Sequence, residues 1–113
     1  MFLAWYLLCE PSFVTGLDDR AIPASTLARV FHEAHEHFRV TLHSDAEMLY
    51  AVGLMAHLFP YNLGEPAEIE ALAQRYRSLY RTLAPQGLSP DVFAARGAYG
   101  AYFAHQSRVA GGY

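Results

Sequence analysis

Apolar residues in this chain fall at helical spacings, and they do so in two long stripes. Leu27, Phe31, Ala34, Phe38 and Leu42 recur every three or four residues, which predicts an amphipathic helix over residues 23–43. Ile69, Leu72, Tyr76, Leu79 and Leu83 repeat the pattern over a second such helix, opened by Pro66 and stopped by Pro85 and Gly87. Between them, Ser44 and Glu47 have the spacing of a capping box, so a third helix is expected from Ser44 to the break at Pro60. Residues 61–65 are expected to be loop. An apolar run over residues 2–10 predicts a first helix ending at Pro11, followed by a turn region with Gly16, Asp18, Asp19 and Pro23. Ser89-Pro90-Asp91 is a start signal for a last helix over residues 90–106, and the Gly111-Gly112-Tyr113 tail should fray. No segment alternates with a period of two, so no strand is expected. The predicted fold class is all-α, with five helices.

The pattern also returns along the chain. Trp5, Leu49 and Phe93 are spaced 44 residues apart, as are Cys9, Gly53 and Gly97, the small residue four positions on. Leu27-Ala28-Arg29-Val30-Phe31 is echoed by Leu72-Ala73-Gln74-Arg75-Tyr76, one residue out of step. A fixed period of this length marks stacked helical units that cannot bury their apolar faces alone. The chain therefore divides into unit 1 (1–44), unit 2 (45–88), an incomplete unit 3 (89–110) and a tail (111–113), all in one domain.

These residues resemble the tetratricopeptide repeat. The first-helix slots read Trp5, Leu8, Cys9, Ser12, then Leu49, Val52, Gly53, Ala56, then Phe93, Arg96, Gly97, Gly100. The second-helix slots read Ala34 and Phe38, then Ala73 and Pro85. The period is longer than the family's roughly 34, Arg96 stands in a leucine slot and Arg77 in an aromatic one; HEAT-type helix pairs share the longer period. The resemblance implies two stacked antiparallel helix hairpins, capped by the C-terminal helix in an α-solenoid-like arrangement. It also implies a groove, lined by the first helix of each pair, that binds a protein segment or helix. Its positions fall here on Tyr6, Glu10, Phe13 and Val14, on Tyr50, Leu54, His57 and Leu58, and on Ala94, Ala98, Ala101 and Tyr102. Such a surface is aromatic and apolar, tuned by His57, Glu10 and Glu47, and suits an apolar anchor on the partner. The alternative for Tyr50, Tyr102 and above all Tyr6 is completion of the core.

Composition narrows the class of work. The chain is 53% hydrophobic and 17% charged, too apolar for disorder. All eight basic residues are Arg, which excludes lysine Schiff-base chemistry. A net charge of −3 argues against nucleic acid as a partner. The apolar stretch 1–9 lacks the basic flank and cleavage site of a signal peptide and is too short to span a bilayer, so it is expected to be a buried helix and no membrane is expected as partner. A single Cys9 allows no internal disulfide and points to a reducing, cytoplasmic setting.

Candidate chemistry is confined to His32-Glu33-Ala34-His35-Glu36-His37. On a helix, His32, His35 and Glu36 lie near one face with His43 beyond, a possible but unfavoured metal set; a solvated polar face is the plainer expectation. Cys9 is expected to be a small packing residue rather than a nucleophile. Gly97 with Ala101, and Gly100 with Ala104, form close-contact ridges that would suit either a capping helix or a homodimer through helix 90–106. Together these readings predict a non-catalytic protein-binding module with no cofactor, whose partner is another protein. The alternatives are a small inhibitor or immunity-type protein for one cognate enzyme, and a metal-binding helical bundle using the histidine cluster.

Overall fold

A computed structural model describes residues 1–18 and 21–109. Among these are seven α-helices, a 3-10 turn and no strand. The helices are α1 (Phe2–Cys9), α2 (Ser12–Thr15), α3 (Ala24–Leu42), α4 (Ala46–Leu58), α5 (Pro60–Leu63), α6 (Pro66–Leu83) and α7 (Gly97–Val109), with the 3-10 turn at Pro90–Phe93 before α7. The expected all-α class holds; the count of five does not. Two single-turn helices, α2 and α5, occupy segments expected to be turn or loop, each introduced by a proline at or beside its first turn. The expected fraying of 111–113 and the turn residue Asp19 lie outside the described residues. No helix among the described residues is long and apolar enough to cross a membrane.

The architecture is built around α4. Leu49 to Ala56 are all buried, so this helix has no outward face along eight consecutive residues. Its main partner is α6, while α1 packs on α3. Helix α1 is tied to α4 by the Trp5 indole, whose Nε1–H donates to the Met55 carbonyl at 3.1 Å. That carbonyl is among the last four of α4, which have no acceptor role inside the helix. Tyr50 packs against Tyr80, Phe93 and Phe103 at centroid distances of 5.3, 5.8 and 6.1 Å, so α6, the 3-10 turn and α7 close around it. All three anchors of the 44-residue repeat, Trp5, Leu49 and Phe93, are buried.

Several local expectations need correction. Asp45, not Ser44, caps α4: its Oδ1 accepts from the Met48 N–H at 3.1 Å, while the Ser44 hydroxyl donates back to the Thr41 carbonyl at 3.0 Å. The helix expected over 90–106 is broken. After the 3-10 turn, Ala94 is extended, and Ala95 and Gly97 take φ values of 59° and 60°, so α7 starts afresh at Gly97. Gly97 is exposed with nothing close to its missing Cβ; its glycine serves the left-handed backbone, not helix packing. Close approach belongs to Gly100, where a Cβ would overlap the Phe93 carbonyl oxygen and lie 2.8 Å from Arg96 Cβ. Gly100 of the Gly100–Ala104 ridge is thus packed on its own chain, while Gly97 and Ala101 are exposed.

Phe38 was expected in the buried stripe of α3 but is 39% exposed, and Leu83 of α6 is likewise exposed. For Phe38 the reason is helix length. At about 1.5 Å per residue, the 8 residues of α1 cannot cover the 19 of α3. Two of the three buried residues of α3, Leu27 and Phe31, lie in its first half. The second half overhangs α1 and faces α6 across a cleft.

Candidate functional site

Pro11 cannot donate a backbone hydrogen bond and ends α1. The chain passes through an extended Glu10 and winds one turn as α2, which closes at Gly16 in the left-handed region (φ 69°), its N–H donating to the Ser12 carbonyl at 2.8 Å. This turn buries no residue. Phe13 is 86% exposed, with Val14 and Leu17 about half so.

What lies beneath α2 is well ordered by contacts. The Tyr6 hydroxyl reaches the Val14 carbonyl at 3.4 Å, a long hydrogen bond. Tyr6 stacks on Phe2 (5.0 Å) and meets Tyr102 edge-on (5.6 Å). The Tyr102 hydroxyl donates to Glu10 Oε1 at 3.1 Å. Burial, then the charge and hydrogen bond of Glu10, push the Tyr102 phenol well above its ordinary pKa of 10, so it stays a donor.

The structure therefore joins some of the expected groove residues and separates others. Tyr6, Glu10 and Tyr102 come together, with Phe13 and Val14 beside them. Tyr50 and Leu54 do not belong: they are 0% and 2% exposed, Tyr50 being walled in by α6, α7 and the 3-10 turn, and no partner can touch them. Glu47 serves α7 instead, accepting from the Tyr99 hydroxyl at 2.7 Å and from the Arg96 guanidinium. His57 and Leu58 are exposed on the last turn of α4. Leu17 was missed at the sequence level. The signal for it was present, since Pro11 before and Gly16 after Ser12–Thr15 are the start and stop residues of a short helix.

The histidine cluster does not converge. His32 Nε2 is held by the Leu63 carbonyl, His35 Nε2 by the Tyr76 hydroxyl at 2.7 Å, and Glu36 pairs with Arg39 at 3.0 Å. Among the described residues, no group of three or more His, Cys, Asp or Glu side chains could hold a metal ion. Cys9 is half-buried, and burial is the main cause that pushes its thiol up to about 12, leaving it protonated and a poor nucleophile at neutral pH.

No family model, curated protein or solved structure matches this chain.

Proposed function

We propose that this chain is a non-catalytic module that binds another protein through the apolar face of α1 and α2, with Phe13 as the anchor. One observation carries the reading: Phe13 is almost fully exposed on a helical turn that buries nothing. A phenylalanine there contributes little to folding, and its exposure costs solubility unless a partner covers it. Val14 and Leu17 widen the apolar area. The Tyr6, Glu10 and Tyr102 contacts fix its base, which lowers the ordering cost of association. The partner is a protein with an apolar pocket able to take an aromatic ring. The pairing of α1 with α3 and of α4 with α6 supports a tetratricopeptide-like pair of hairpins closed by α7, although the docking face is then the outer edge of the first hairpin and not a groove along α4.

The test is affinity capture from native lysate by tagged wild-type chain and by Phe13→Asp, run side by side. A stoichiometric protein retained by the wild type and lost with Phe13→Asp, at unchanged melting temperature, is the expected result. If both chains retain the same proteins, the face is elsewhere.

A further inference from the structure

The cleft between α3 and α6 is a different place from the α1–α2 face and has a different chemistry. It has a volume of about 490 Å³ and is lined by His35, Glu36, Arg39 and Val40 from α3, by His43 just after it, and by Leu72, Arg75 and Tyr76 from α6. That volume is within the range of about 300–1,000 Å³ typical of small-molecule sites.

Its lining carries two arginines against one carboxylate in a chain that is acidic overall. His35, Arg39 and His43 sit four residues apart along α3, so they form one row up the helix face. Arg75 faces them from α6. The only carboxylate in the lining is Glu36, engaged by Arg39 at 3.0 Å in a pair whose side chains are both more than half exposed. Such a pair holds its members weakly, so the Arg39 guanidinium is able to turn to a ligand.

The inner end carries a buried polar group. Tyr76 is 2% exposed, yet its hydroxyl lies at the cleft and bonds His35 Nε2 at 2.7 Å. Its ring is met edge-on by both imidazoles, His35 at 5.7 Å and His43 at 6.3 Å. Burial is the chief cause that lowers the His35 pKa and raises that of Tyr76, so both are neutral at pH 7. With the phenol donating to Nε2, the proton of a neutral imidazole resides on Nδ1, and His35 brings one further donor. Val40, 89% exposed, and Leu72 supply apolar surface beside these groups.

We infer that the cleft between α3 and α6 binds a small phosphomonoester, its phosphate held between Arg39 and Arg75 with His43 in support and its organic body lying on Val40 and Leu72. Two guanidinium forks match the oxygens of a phosphate. A dianion balances two arginines better than a monoanionic carboxylate does. The apolar lining favours a ligand with a hydrophobic body over the free ion.

Calorimetric titration at low ionic strength tests this, with phenyl phosphate, benzoate and inorganic phosphate as probes. Phenyl phosphate is expected to bind more tightly than about 1 mM, with benzoate and inorganic phosphate at least about tenfold weaker. Arg39→Gln/Arg75→Gln should lose at least about tenfold in affinity for phenyl phosphate. Arg29→Gln/Arg108→Gln, which removes the same charge outside the cleft, should bind it as the wild type does. All four arginines are exposed, so both variants are expected to fold, and circular dichroism checks this. Benzoate binding as tightly as phenyl phosphate, equal losses in the two double variants, or no binding of phenyl phosphate tighter than about 1 mM overturns the proposal.

Discussion

At the scale of single residues, Gly100 shows how one missing side chain sets a contact. It lies in the first turn of α7 and packs on the backbone of the 3-10 turn that precedes the helix. Alanine in a helix interior is favoured over glycine by about 1 kcal/mol. Here that gain is outweighed, because the new methyl meets the Phe93 carbonyl, which is backbone and cannot swing away. Gly100→Ala is expected to destabilise by about 2–3 kcal/mol net, read as a fall in the urea midpoint with unchanged slope. A variant as stable as the wild type would mean that α7 can shift along the turn. Gly100 was legible as a small residue in the sequence, but its neighbour was not: pattern placed it on a ridge facing another helix, and the structure turns it onto its own chain.

Among the elements, the start of α4 depends on Asp45. The spacing of Ser44 and Glu47 suggested a reciprocal cap, yet Glu47 is drawn off by Tyr99 and Arg96 of the last unit, and the cap passes to the next residue. Asp45→Ala should cost about 1 kcal/mol and lower the melting temperature by a few degrees, roughly 4–8 °C for a domain near this size. Ser44→Ala should change it far less, since Ser44 bonds only the preceding turn. Differential scanning calorimetry of the two variants separates these outcomes. The same element view explains the misplaced stripe of α3. Periodicity gave its face correctly at Leu27, Phe31 and Leu42, but Phe38 between them is left open where α1 is too short to cover it.

Across the whole molecule, α7 is fastened to both earlier units by two phenols a single turn apart. Tyr99 donates to Glu47 of α4 and Tyr102 to Glu10, just beyond α1. Burial first, then the neighbouring carboxylate, hold both phenols above the ordinary value of 10. The consequence for stability follows from linkage. In the unfolded chain both groups lose their protons near pH 10 while the folded chain keeps them, so ionisation favours unfolding. Their contribution is full below pH 10 and is lost as the pH rises beyond it. Stability should therefore fall progressively as the pH rises above about 10, and Tyr99→Phe/Tyr102→Phe should flatten that fall, as measured by urea midpoints at each pH. Equal slopes in the two proteins would show that these phenols are not what fastens α7.

What the sequence determined by itself is whatever depends on neighbours along the chain. The all-α class, the extents of α3 and α6 and the burial of Trp5, Leu49 and Phe93 all follow from spacing, prolines and apolar periodicity, which act over a few residues. Tertiary structure decided which surfaces remain. A tyrosine or leucine on α4 has the same local pattern whether it lines a groove or fills a core. Only tertiary packing puts Tyr50 and Leu54 inside, Tyr50 against α6, α7 and the 3-10 turn, and leaves Phe13 out. Likewise, His35, Arg39 and His43 are a polar helix face until α6 brings Arg75 and Tyr76 opposite them. Their pairing joins residues more than thirty positions apart, a separation over which local pattern carries no information.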